Sequence, residues 1–315
     1  MKSPQVPSEQ PRVLYIRGGA VGDFILTLPV IRHLRQAMPK AYIEVMAQRS
    51  LVDLTIKAQL ADAVRPLGDV RMARFFAKDG QIDPELAAAI GRCTLVISHL
   101  YDPDGILREN MQRIGVRTFL QAPHQVLVGQ GHACQQLARP LEQLALFLED
   151  SEWRAPLFVP HSLPEAIKRV AIHPGSGSLT KNWPLQHWLA VAHAIQAHHP
   201  EMELVFLSGE AEEERGTLPA NLPFPRWHGL PLTELADRLR RCTLYLGHDS
   251  GIGHLAAACG LPCLLLFGPT DPASWAPPQA AVRVLRAPGG DLKTLPMEAV
   301  RDTALALLEA GFCPN

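Results

Sequence analysis

Apolar positions along this chain fall into short runs, each followed by a polar, glycine-containing break and then by a longer stretch at helical spacing. The first run, Val13-Leu14-Tyr15-Ile16, ends in Arg17-Gly18-Gly19. Phe24, Leu28, Ile31 and Leu34 then recur with a helical period, which predicts a helix over 24–38 that Pro39 stops. The alternation continues with a strand at 42–46, a helix near 51–59, the apolar pair Ala63-Val64, a helix near 84–90 and a strand at 94–98. Strand and helix in alternation imply a parallel sheet covered on both faces. Residues 100–135 are less regular and carry the turn signal Asp102-Pro103-Asp104-Gly105. A helix over 137–148 follows, with Pro140 in its first turn, and the proline-containing stretch 151–164 reads as an interdomain connection.

The pattern then restarts. Residues 169–173 form a strand that runs into Pro174-Gly175-Ser176-Gly177-Ser178. Helices are predicted over 184–199, 232–241, 251–259 and 297–310, and strands over 203–207, 243–246 and 263–267. Each half opens with strand, Gly-rich loop and helix. The expected fold is therefore α/β, with two Rossmann-like doubly wound domains facing across a cleft. The first covers 1–160 and the second 161–315, whose terminal helix is expected to pack back on the first. In such sheets ligands bind beyond the carboxyl ends of the strands, where these loops lie.

Composition narrows the function classes. The 315 residues are 47% hydrophobic and 19% charged, enough for two domains of ordinary size. A formal net charge of −1 argues against a nucleic-acid partner. No apolar run is long enough to span a bilayer, and residues 1–11 are polar and read as a loose leader, so a cytoplasmic protein is expected. Cys93, Cys134, Cys242, Cys259, Cys263 and Cys313 form no Cys-x-x-Cys pair and read as reduced core thiols. The histidines show no metal spacing.

Four segments carry candidate chemistry. In His248-Asp249-Ser250-Gly251-Ile252-Gly253-His254, Asp249 is placed to cap a helix. Ser250 and Gly251 offer donors that could hold a diphosphate, and His254 shares a helical face with Ser250. The competing reading is ordinary capping with a packed histidine. The loop holding Ser176 and Gly177 matches neither the Walker nor the dinucleotide pattern, but Lys181 lies close behind and could neutralise a phosphate. Glu212, within Glu210-Ala211-Glu212-Glu213-Glu214, is either a ribose acceptor or part of a charged first helical turn. Asp23, after Arg17-Gly18-Gly19-Ala20-Val21-Gly22, is either a helix cap or a general base. Thr27 and Pro29 extend that segment, with the proline expected in an early turn.

Taken in order, these segments resemble glycosyltransferase family 9, the lipopolysaccharide heptosyltransferases. Residues 13–29 are similar to the family's opening strand, Gly-Asp and Leu-Thr-x-Pro. Residues 174–184 are similar to its Gly-rich loop and Lys-x-Trp-Pro, residues 247–260 to its Asn/Asp-Ser-Gly-x-x-His-Leu-Ala-Ala-Ala segment, and 267–272 to its Phe-Gly-Pro-Thr-Asp-Pro segment. The resemblance implies a GT-B fold and an inverting, metal-independent transfer from a nucleotide sugar, usually ADP-heptose, without a cofactor. It implies Asp23 as general base. It sets Lys181, Ser250, Gly251 and His254 around the donor diphosphate, Glu212 at the ribose and Asp249 beside the donor as organiser of the loop, with Ser176 and Gly177 of the Gly-rich loop also donor-binding. The implied acceptor is a lipopolysaccharide-core-like or other glycan, or a lipid-linked sugar met peripherally at the inner membrane face. Arg65, Arg71, Arg74, Lys78, Arg108, Arg113 and Arg117 are candidates for anionic headgroups, against the plainer reading of a solvated surface. Gly19-Ala20 stands where the family often has a serine. Two other readings stay open: a GT-B-type nucleotide-sugar epimerase, and a non-catalytic nucleotide-sugar-binding protein.

Overall fold

The computed structural model describes residues 10–158, 167–216, 218–219 and 221–310. Most of the expected leader and the second half of the expected connection lie outside these residues. By contacts the chain divides into two units. The first comprises the described residues through Gly18, Val30–Val126 and Leu137–Leu148, and the second Gly19–Pro29, Leu127–Gln136 and the described residues from Glu149 onward. This division departs from the expected boundary at residue 160, because two segments of the N-terminal half make their contacts with the C-terminal one.

The first unit is built on β1 (Arg12–Ile16), β2 (Tyr42–Ala47), β3 (Ala63–Pro66), β4 (Leu95–Ser98) and β5 (Thr118–Gln121). All pairings are parallel, in the order β3-β2-β1-β4-β5. β1 lies in the middle with Val13, Leu14, Tyr15 and Ile16 all buried, as a strand covered on both faces requires. Helices α1 (Val21–Ala37), α2 (Arg49–Lys57), α3 (Pro84–Gly91) and α4 (Ile106–Arg113) alternate with the strands. Leu14, Ile16, Met46, Phe75, Val96 and Met111 form its core.

Several expectations are corrected here. The stretch expected to be irregular holds α4 and β5. The helix expected over 137–148 is instead α5 (Ala133–Ala138) followed by a 3-10 segment, Arg139–Leu144. Pro140 supplies no N–H and disfavours helical geometry at the residue before it, so the α-helix ends there. A short helix, α6 (Asp150–Arg154), occupies part of the expected connection. α1 begins at Val21, three residues earlier than expected, which puts Pro29 in the helix interior rather than an early turn.

The second unit contains β6 (Arg169–Ile172), β7 (Glu203–Ser208), β8 (Arg226–His228), β9 (Leu244–His248), β10 (Cys263–Phe267) and β11 (Val282–Arg286), all parallel in the order β11-β10-β9-β6-β7-β8. Around them run α7 (Leu185–His198), α8 (Glu210–Glu214), α9 (Leu232–Leu239), α10 (Gly251–Ala258), α11 (Pro272–Trp275) and α12 (Met297–Glu309). Val300, Ala304 and Leu308 of α12 join the core of Trp188, Val191 and Ile195 from α7, so its apolar face is covered inside the second unit. The strand order reverses between β6 and β9, the switch point at which doubly wound sheets open a crevice beyond their carboxyl ends.

Candidate functional site

Two loops leave the second sheet at that switch point, one after β6 and one after β9. His248, at the end of β9 and fully buried, braces them. Its Nε2 accepts the Trp183 N–H at 2.8 Å, which leaves the ring proton on Nδ1, 3.4 Å from the Gly175 carbonyl oxygen. Burial, reinforced by the neighbouring His173, lowers its pKa to about 3, so the brace is a neutral imidazole. With Gly175 and Trp183 both held by one ring, the intervening loop that carries Lys181 is fixed at its two ends.

The Lys181 ammonium donates to Asp249 Oδ2 at 2.7 Å. Thr270 Oγ1 donates to the same oxygen at 2.7 Å, and His254 Nε2 lies 3.7 Å from Asp249 Oδ1. Burial by itself would push the Asp249 carboxyl up. His254 and Lys181 outweigh it and hold the group below the usual carboxylate range. Asp249 is thus not the helix cap that its position suggests. Ser250 is the N-cap of α10, and its Oγ accepts from the Gly253 N–H at 3.2 Å. That leaves the earlier N–H groups of the first turn without intrahelical acceptors, as at any helix start.

Gly19–Pro29 completes the site from within the same unit. A Cβ at Gly251 would lie 2.5 Å from the Val21 Cβ, and one at Gly22 would lie 3.1 Å from His254 Cδ2. The starts of α1 and α10 therefore meet backbone to backbone, and only glycine fits at Gly251. Asp23 is the third residue of α1, not its cap, and its carboxylate accepts the Ala20 N–H at 3.1 Å. Gly19 has φ +100° and sits against Asp23, so a serine at that position would be strained as well as crowded.

A cavity of about 330 Å³ is lined by Asp23, Gly177, Lys181, Asp249, Ser250, Gly251 and His254, together with Ala20, Gly22, Ser178, Thr270 and Trp275. Ser176 and Glu212 are not on its wall. The Ser176 hydroxyl lies 2.7 Å from the Ser178 carbonyl oxygen and 2.6 Å from Asn182 Oδ1, so it shapes the loop from inside. Glu212 is buried, accepts the Gly209 N–H at 2.7 Å and faces His173 at 3.7 Å. A Cβ at Gly175 would fall 2.0 Å from its Oε1, which shows how closely the carboxylate packs under the loop. Burial raises the Glu212 pKa, and His173 with the Gly209 N–H reverses that to a net lowering. Thr270 and Trp275 were not among the expected site residues. Thr270 lies in the Phe267–Pro272 segment, but its bond to Asp249 spans 21 residues and no local spacing shows it. Among the described residues, no group of three or more His, Cys, Asp or Glu side chains could hold a metal ion.

Residues 146–303 match the family described as glycosyltransferase family 9 (heptosyltransferase). The opening segment 13–29 lies outside that match. Over 292 residues the chain is 26% identical to lipopolysaccharide heptosyltransferase 1 of Pseudomonas aeruginosa, covering 83% of this chain and 79% of that one. It is 30% identical over 121 residues to lipooligosaccharide heptosyltransferase 2 of Haemophilus influenzae, 36% of this chain and 34% of the relative. Among solved structures, the family 9 glycosyltransferase of Veillonella parvula aligns with a TM-score of 0.74 at 20% identity, covering 95% of this chain and 98% of that one. The Escherichia coli heptosyltransferase WaaC with ADP aligns at 0.70 and 17% identity, covering 94% and 99%. At such identities the structural likeness establishes the fold, two Rossmann-like domains of the GT-B class. The sequence match over half of the chain establishes the family: the protein belongs to glycosyltransferase family 9 and is a glycosyltransferase.

Proposed function

We propose that the protein transfers a sugar, with inversion and without a metal, from a nucleoside-diphosphate sugar to a hydroxyl of a lipopolysaccharide-core-like glycan. ADP-heptose is the donor this reading favours, because the relatives are named as lipopolysaccharide and lipooligosaccharide heptosyltransferases and WaaC is described with ADP. The observation that carries the reading is one cavity lined by a carboxylate, an ammonium group and a helix start: Asp23, Lys181 and Ser250-Gly251. In the reaction, Asp23 takes the proton of the acceptor hydroxyl while that oxygen forms its bond to the anomeric carbon. The bond from that carbon to the diphosphate oxygen breaks, and its electron pair leaves with the nucleoside diphosphate. Lys181 and the first-turn N–H groups of α10 meet the charge that develops there. Asp249 keeps the lysine aimed through its 2.7 Å bond, and that bond offsets the carboxylate charge beside the diphosphate.

No helix among the described residues is long and apolar enough to cross a membrane, so a lipid-linked acceptor at the inner face would be met peripherally. The basic residues proposed for that contact are partly engaged elsewhere. Arg65 bonds Glu44, Arg71 bonds Asp69, and Arg113 bonds the Gly80 carbonyl oxygen. A headgroup contact would therefore rest on the remainder of that group.

Two measurements test the reading. In a thermal-shift panel of ADP-, UDP-, GDP- and dTDP-sugars, the ADP sugar should stabilise most, by about 2.7 kcal/mol at a hundred times its Kd. Asp23→Ala should keep that shift and lower acceptor-dependent ADP release by roughly 10²–10⁴-fold, with EDTA leaving the wild-type rate unchanged. Unaltered turnover in the variant would remove Asp23 from the chemistry and leave it as a helix-start residue alone.

A further inference from the structure

His254 borders two spaces. One is the candidate site, where its Nε2 edge faces Asp249 and packs on Gly22. The other is a small cavity of about 10 Å³, whose wall includes Ile25, Leu26, Cys134, His254, Pro278 and Gln279, all within the second unit. His254 Nδ1 is buried and has no hydrogen-bond partner. The same is true of Oε1 of Gln279, a side chain that is itself 8% exposed. Both atoms can accept a hydrogen bond, and both side chains border a space the size of one water molecule. A buried polar group left unsatisfied costs roughly 1–3 kcal/mol, so two on one small cavity call for a shared partner. Cys134, whose thiol donates to the Leu26 carbonyl oxygen at 3.2 Å, adds polar character to the same wall.

We propose that one ordered water in this cavity donates to His254 Nδ1 and to Gln279 Oε1, making Gln279 a positioning residue for His254. The relay leaves the ring proton on Nε2 and fixes the plane of the ring. Nε2 is then held toward Asp249, whose other oxygen carries Lys181. The effect on catalysis rests on the donor-site reading above, whereas the state of the ring does not. Gln279 lies between α11 and β11, and nothing in its local sequence marks it. Only the fold brings it to the far side of the histidine.

The test is ¹⁵N NMR of histidine-labelled full-length protein, with the His254 ring signals assigned by their loss in His254→Gln. Wild type should show the proton on Nε2 and a bare Nδ1 that accepts a hydrogen bond. Gln279→Leu should lose that bias, and Gln279→Glu, which retains an acceptor oxygen, should keep it. If the leucine variant does not fold, Gln279→Met serves in its place. In turnover, the leucine or methionine variant should lower kcat about tenfold with donor KM within about twofold, and the glutamate variant should recover most of the loss. A His254 signature identical in wild type and the leucine or methionine variant would overturn the proposal, as would a high-resolution crystal structure with no water density between the two side chains. Because the NMR readout needs no substrate, failure of the donor assignment would leave it standing. An unchanged ring signature would defeat the positioning role even where sugar transfer is confirmed.

Discussion

At the residue scale, one Asp249 oxygen takes bonds from Lys181 and Thr270 while the other faces His254. Asp249→Asn keeps the shape and removes the charge. It should cost roughly 1–3 kcal/mol, since it leaves a partly buried ammonium without its counterion. Urea unfolding would show this as a lower midpoint at unchanged slope, and an unmoved midpoint would mean that the cluster is loose in solution. The pH dependence follows from other buried groups. Burial lowers both His248 and His99 from 6.5 to about 3. Unfolded, each takes up a proton as pH falls through about 6.5, while folded each resists until about 3. The unfolded state therefore binds more protons across that window, and stability falls with falling pH by up to about 1.4 kcal/mol per unit for each histidine. Asp249, held below the usual carboxylate range, adds stability above its unfolded value that is lost as pH falls further. Denaturant melts between pH 7 and pH 4 would check the sign; a flat profile would contradict it.

At the element scale, the starts of α1 and α10 are the units that matter. Their contact depends on Gly251, where a Cβ would meet the Val21 Cβ at 2.5 Å and the Gly22 nitrogen at 3.1 Å. Gly251→Ala should push the two starts apart and lower kcat by about 10²-fold, in line with an ångström-scale misplacement of a catalytic group. Val21→Gly in the same chain removes the worse of the two overlaps and should restore part of the rate. No rescue would show that the alanine acts on the α10 start alone. Such a contact was not legible in the sequence. The Gly-Asp and Ser-Gly segments each read as a helix start, 228 residues apart between Asp23 and Gly251, and neither carries a mark of the other. The cap assignments failed for a related reason. Asp, Ser and Thr all suit an N-cap, so which of two adjacent residues takes the position depends on where the helix begins, and tertiary contacts set that.

At the scale of the whole molecule, α12 is part of the second unit's own core. Ala304 is fully buried against α7, so Ala304→Asp should place an uncompensated carboxylate there and destabilise that unit by several kcal/mol. A melting temperature within a degree or two of wild type would show that this packing is dispensable. The amphipathic pattern of this helix states that a face must be covered but not by what, and the fold supplies α7. β8 and β11 were missed because both are edge strands with half-exposed side chains, so their apolar signal is diluted.

The sequence by itself determined the alternating α/β plan, the strands buried on both faces, the loops at their carboxyl ends and the family, since each follows from local period or contiguous motif. Asp23, Lys181, Asp249, Ser250, Gly251 and His254 were all legible as candidates for the same reason. Only the tertiary structure decided what each of them does within the cluster. It made Ser250 rather than Asp249 the cap, turned Glu212 and Ser176 behind the loop, and brought Thr270, Trp275 and Gln279 to the site or its rear wall. Those outcomes depend on hydrogen bonds and close backbone contacts between residues far apart in the chain, which no periodicity records.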